Sequence, residues 1–264
     1  MELEGVEKYI GGDKIFSPAW MVLQMTLAII SSIIVFASNI EKITFNFLHS
    51  KIYYYGFHTY TQPYSYYTYP YHLTPLSIVS SIVFAVSEIL NIYILSVLIS
   101  RRNFHFERTS NLYNAISKVF EEKGFKKEAW KIKEYVKRCE VETGKKNVAG
   151  WVVLSLIPVV NFFAIPYIYH FLTRDFFKHS KYEELIYDMF SEIFNRELES
   201  EIELEIYYPD RDTVMYFLLS VATAGIAGIY WYYTLFSDPN KHFKEHSIAE
   251  EKLIQCLSKL FPLP

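Results

Sequence analysis

Residues 167–180 read YIYHFLTRDFFKHS, and residues 230–243 read YWYYTLFSDPNKHF. Aligned without gaps, Tyr167, Tyr169, Leu172, Asp175, Lys178 and His179 fall on Tyr230, Tyr232, Leu235, Asp238, Lys241 and His242. A fainter third copy, YILSVLISRRNFHF at 93–106, keeps Tyr93 and His105 in register. Glu183 stands in one copy where His246 stands in the next. Each copy closes a long apolar run, so the chain reads as a repeated unit of apolar run, aromatic exit and polar turn, and the repeat governs the architecture.

Four apolar runs stand out, at 17–40, 76–99, 149–172 and 214–236. Each is near the roughly 20 residues that cross a hydrocarbon core of about 30 Å. Glu88 and His170 are the only acidic or basic side chains inside them. Such runs offer no polar face to solvent. Trp20 and Trp151 stand at run starts and Tyr230, Trp231, Tyr232 and Tyr233 near a run end, where amphipathic rings suit a headgroup layer. These features predict an all-α polytopic membrane protein with about four transmembrane helices, flanking amphipathic helices and an internal repeat. Multi-pass placement in the cell membrane follows.

The last two runs carry weak points. Pro158 and Pro166 interrupt the third, and ATAGIAG at 222–228 sits mid-way through the fourth. Proline removes a helical hydrogen bond and glycine tolerates a turn, so both runs are open to a second reading as re-entrant hairpins.

Between the runs the composition shifts. Segment 41–75 is tyrosine-rich, with nine tyrosines and two prolines in 53–71, and reads as an external loop or partner-binding surface. Segment 101–148 holds thirteen Lys/Arg against seven Asp/Glu, which places it and the N-terminus on the cytoplasmic side. It predicts amphipathic helices over 107–122 and 125–141, with Gly124 at the turn. Segment 173–213 is acidic, with five Lys/Arg and twelve Asp/Glu. It predicts a helix over 180–200, and its Glu/apolar alternation at 199–210 fits a short strand. A last helix is expected over 243–260. The units are therefore 1–100, 101–148, 149–212 and 213–264. The start of the chain, MELEGVEKYIGGDK, is net acidic and a poor leader, so the first run is expected to stay as an anchor. Cys139 and Cys256 form no motif, and the Lys, Ile, Tyr and Glu bias suits a thermophile.

The stretch GIAGIYWYYTLFSDPNKHF at 225–243 resembles an uncharacterised prokaryotic family of small membrane repeats. That family has a Gly-Ile-Tyr turn, a Tyr/Trp-rich helix end and then Asp-x-Asn-x-His. The matching positions are Gly228, Ile229, Tyr230, Trp231, Tyr232, Asp238, Asn240 and His242. The resemblance implies a membrane-embedded repeat and no catalytic role.

Candidate residues fall into three sets. Glu88 sits mid-run, where a carboxylate costs roughly 2.5–3.5 kcal/mol on insertion scales. With Asn91 and Ser81 on its helix and Gln24 opposite, it marks an ion route or a polar helix-packing contact. Asp175, His179, Asp238, His242 and His246 read as surface turns of the repeat, with capping or interface roles rather than metal ligation. Lys126, Lys127, Lys131, Lys133, Lys137 and Arg138 suit anionic lipid or a partner. No hydrolase, P-loop or dinucleotide motif is present. The expectation is a structural or accessory membrane subunit without catalytic residues, metal or cofactor, in contact with lipids and a protein partner or its own copies, and not nucleic acid. A small oligomeric channel or transporter near Glu88 is the alternative.

Overall fold

The computed structural model describes residues 4–56, 75–199 and 202–262. Eight helices are present among the described residues: α1 (Glu4–Glu7), α2 (Ala19–Gly56), α3 (Pro75–Glu122), α4 (Lys126–Thr143), α5 (Val148–Leu156), α6 (Pro158–Leu198), α7 (Thr213–Ala222) and α8 (Ile226–Leu260). The chain divides into two units, Ala19–Ile94 and Met1–Pro18 with Leu95–Pro264. Helix α3 runs through the division.

Local chemistry sets the breaks. Pro158 has no N–H to donate and begins α6 at a position where none is needed, directly after Ile157 ends α5. In the fourth run Ala224 and Gly225 both take positive φ, +49° and +97°, a conformation that stops α7 and that glycine adopts without strain. Asn147 caps α5 by accepting from the Gly150 N–H. Asp212 caps α7 by accepting from Val214 and Met215. Gly124, at φ +94°, turns α3 into α4.

In the larger unit, α3, α4, α6 and α8 share one apolar core. Leu112, Ile116 and Phe120 of α3 meet Ile132 and Val136 of α4, Ile186, Phe190 and Phe194 of α6, and Leu253 and Leu257 of α8. The i, i+3, i+4 spacing explains the burial: Ala129, Ile132, Val136, Cys139 and Thr143 form one face of α4. Each fully buried Leu, Ile or Phe contributes about 1.5–3 kcal/mol before entropy is charged against it. Residues 202–212 keep the expected alternation, with Leu204, Ile206 and Tyr208 buried, yet they form no strand. They lie against helices, which offer no ladder of backbone partners.

In the smaller unit, α2 and the start of α3 meet through small polar groups. The Ser31 hydroxyl donates to the Ser80 carbonyl at 3.5 Å, and the Trp20 and Tyr93 rings meet edge-on at 5.5 Å. Ile33, Phe36, Ile82 and Ile89 remain exposed.

This architecture corrects the four-span bundle. Among the described residues two helices, in Ala19–Thr44 and Pro75–Glu122, are long and apolar enough to cross a membrane. The third and fourth runs are each divided between two helices, so neither is a straight span. The amphipathic helices expected at 107–122, 180–200 and 243–260 are not separate surface pieces. They are the ends of α3, α6 and α8, continuous through the supposed surface turns because nothing at Pro166 or Pro239 breaks the helix. Two apolar helices, a pattern that core helices and leader sequences share, do not carry a multi-pass assignment. The rest of the chain is a packed all-α body with buried ion pairs. The cell-membrane localisation, the sidedness of 1–100 and 101–148, and the lipid and oligomer partners therefore do not stand. Most of the tyrosine-rich loop, 57–74, lies outside the described residues; residues 41–56 continue α2.

Candidate metal centre

The three repeat copies end on three different helices, α3, α6 and α8, and those helices bring the copies together. His105, His179 and His242 occupy the same position of the repeat. The His105 ring centroid lies 5.2 Å from that of His179 and 5.2 Å from that of His242. One turn further along, Thr109, Glu183 and His246 are again equivalent positions; Glu183 meets His246, and Thr109 reaches His179. His246 Nε2 is 2.8 Å from Glu183 Oε1, and Thr109 Oγ1 is 3.1 Å from His179 Nε2. A four-residue step keeps side chains on one helical face, so each helix presents a polar column to the other two.

Glu183 is the hub. Its Oε1 lies 3.0 Å from His179 Nε2 and accepts from the Tyr113 hydroxyl at 3.0 Å, while Oε2 lies 3.2 Å from His242 Nε2. His105, His179 and Glu183 offer ligand atoms within 4.8 Å of one another, and all three residues are buried. Two ligands bound about 2.0–2.1 Å from a zinc-sized ion at a tetrahedral angle stand ~3.4 Å apart. The spacings around Glu183 are close to that.

The outer contacts have the form that metal-ligating histidines require, in which the far ring nitrogen is held by an acceptor. His105 Nδ1 is 2.9 Å from Asp13 Oδ2, and His179 Nδ1 is 3.2 Å from the Cys139 sulfur. The opposite nitrogen of His105, Nε2, has no hydrogen-bond partner among the described residues. Glu183 Oε2, both ring nitrogens of His242 and His246 Nδ1 also have none. Five orphaned polar atoms in one buried cluster are costly unless something satisfies them.

Arg108 ties the outer carboxylates together. It donates to Glu250 Oε1 at 2.6 Å and to Asp13 Oδ2 at 2.5 Å, and the Gly11 N–H donates to Glu250 Oε2 at 2.7 Å. Asp13 and Glu250 thus share the Arg108 guanidinium, while Glu183 meets imidazoles and the Tyr113 hydroxyl. Without an ion, protons on those imidazoles balance Glu183. Burial alone would lower His179 and His246, but Glu183 overrides it and pushes them up to about 10 and about 9. Burial alone would raise Glu183, but His179 and His246 hold it well below the usual carboxylate range. Burial wins at His105, which falls to about 3, and lowers His242.

The repeat aspartates do not join this centre. Arg102 holds Asp175 at 2.7 Å, with Lys146 at 3.3 Å, and Arg211 makes a two-pronged pair with Asp238. Residues expected as surface turns are thus interior: Asp175, His179, His242 and His246 are buried and Asp238 is half-buried. Glu88, Asn91 and Gln24 are half-buried in the smaller unit and Ser81 is exposed. Lys126, Lys127, Lys131, Lys133, Lys137 and Arg138 lie on the exposed face of α4, where Lys133 pairs with Glu121 and Arg138 with Glu134.

Asp13, Arg108, Tyr113, Cys139 and Glu250 are absent from the sequence-based candidates. The columns Thr109–Tyr113 and His246–Glu250 continue the four-residue step from the repeat histidines and could have been followed. Asp13 and Cys139 come from elements outside the repeat and carry no such signal. The expectation of a structural or accessory subunit without catalytic machinery, and of a channel near Glu88, is overturned by this buried set of ligand-type side chains. No family model matches the chain, and searches of curated proteins and of solved structures return no match.

Proposed function

We propose that the larger unit is a metal-dependent domain that holds one divalent transition-metal ion through His105, His179 and Glu183. The observation that carries this is the convergence of those three buried ligand atoms within 4.8 Å, with His105 Nε2 left unpartnered. Imidazole nitrogen with one carboxylate oxygen suits zinc, iron, nickel or copper better than magnesium or calcium. A bound ion supplies Lewis acidity at a site shielded from bulk water.

The chain's own residues define the rest. Asp13 fixes the tautomer of His105, with Arg108 bridging it to Glu250. His246 spans Glu183 and Glu250, with Nδ1 2.7 Å from Glu250 Oε1, and so orients the hub carboxylate. Tyr113 donates to the same carboxylate. Three protein ligands with a further position open are the pattern of catalytic rather than purely structural sites.

Elemental analysis tests the assignment. Protein stripped with chelator and dialysed against zinc, cobalt, nickel or ferrous ion should retain about one ion per chain. His105→Ala and Glu183→Gln should lose it, while His170→Ala, an exposed histidine bonded to Thr213 outside the cluster, should not. Failure of the wild-type chain to retain any of the four ions would sink the proposal.

A further inference from the structure

A cavity borders two of the three proposed ligands, His179 and Glu183, while His105 is not in its lining. Tyr113, Cys139, Val136 and Phe106 border it too, and the exposed Glu140 also lines it. The volume open to a water's centre is about 30 Å³. About 10–15 Å³ holds one water when two or more polar partners are present. Here His179, Glu183 and the Tyr113 hydroxyl are those partners, while Val136 and Phe106 make the walls apolar.

We propose that this cavity delivers a small exogenous ligand to an open position on the metal centre: water at rest, or another lone-pair donor of no more than about three non-hydrogen atoms. This rests on the metal-centre reading above and adds a size limit and a route. The Tyr113 hydroxyl donates to Glu183 Oε1 at 3.0 Å and keeps lone pairs that can accept from a bound water. Larger donors such as imidazole are excluded, because the walls belong to the packed core: Val136 and Tyr113 are both part of it.

The test uses the full chain loaded with cobalt(II), whose visible absorption responds to its ligands. Sodium azide should shift the spectrum saturably, and imidazole over the same concentration range should not. Val136→Phe, which fills the cavity, should weaken azide binding by about tenfold or more at unchanged cobalt content. Val136→Ile serves with a smaller expected loss if the larger residue prevents folding. Cobalt binding without any azide response would overturn the open position and leave the metal centre standing. Equal binding of azide and imidazole, or unchanged azide affinity in the filled variants, would overturn the route. Absence of cobalt, zinc, nickel and ferrous ion binding alike would overturn both proposals.

Discussion

His105 and His242 stand at the same position of two repeat copies, on α3 and α8, with their ring centroids 5.2 Å apart in a fully buried layer. The repeat is therefore a device for convergence. Three copies on three packed helices place like residues at one level of the core, and differences between copies then diversify the layer. Thr109, Glu183 and His246 supply a hydroxyl, a carboxylate and an imidazole from one equivalent position.

Asp13→Asn should weaken metal retention without abolishing it. The aspartate touches His105 Nδ1 and Arg108, and loss of such an outer partner costs about 10–100-fold in affinity. Competition with a chromogenic chelator measures this. An unchanged affinity would mean that Asp13 does not orient His105.

Asp175→Asn separates structure from ligation. It leaves the buried Arg102 with neutral partners only, Asn103, Thr143 and Gly144, and breaking a buried ion pair costs about 3–5 kcal/mol. Denaturant unfolding should show that loss, while the variant retains as much metal as wild type. Loss of metal at full stability would instead place the repeat aspartate in the centre.

Stability of the metal-free protein should peak near pH 6.5 and fall on both sides. His179 and His246 titrate at about 10 and about 9 when folded, against 6.5 when unfolded. Above 6.5 the unfolded chain has released protons that the folded chain still holds, so stability is lost as pH rises through 9 and 10. His105 titrates at about 3 when folded, so below 6.5 the unfolded chain gains a proton that the folded chain refuses, and stability is lost as pH falls. Glu183, held low by its histidines, adds to the acid-side loss. Calorimetry in chelator across this range should show the maximum; a steady rise or fall of Tm through neutrality would contradict it.

Metal should raise Tm. Binding to the folded state alone contributes about 2.7 kcal/mol at a free concentration one hundred times Kd. For a chain of this size that is a rise of about 5–10 °C. Glu183→Gln should show none of it.

Much of the helical framework is written locally. Pro158, Gly225, Asn147 and Asp212 act through their own backbone or side chain within a few residues, so the breaks and caps they make are readable from the chain. The register of the repeat is equally local, and with it the equivalence of His105, His179 and His242. Whether an apolar run crosses a bilayer or bends back is not local, since it depends on what covers each face. The same limit applies to the tails. Asp175–His179 and Asp238–His242 have the composition of surface turns, and only the packing of Arg102, Arg211 and the neighbouring helices makes them interior.

The order of residues alone determined the weak points at Pro158 and Gly225 and the threefold recurrence of a histidine at one register, but not that α3, α6 and α8 run on unbroken. Tertiary structure decided that the three histidines share one centre, that Glu183 lies among them, and that Asp13 and Cys139 reach in from outside the repeat. The physical reason is range. Helix and turn preferences act over about four residues, whereas a ligand set needs side chains from distant segments placed within a few ångströms, and only packing supplies that.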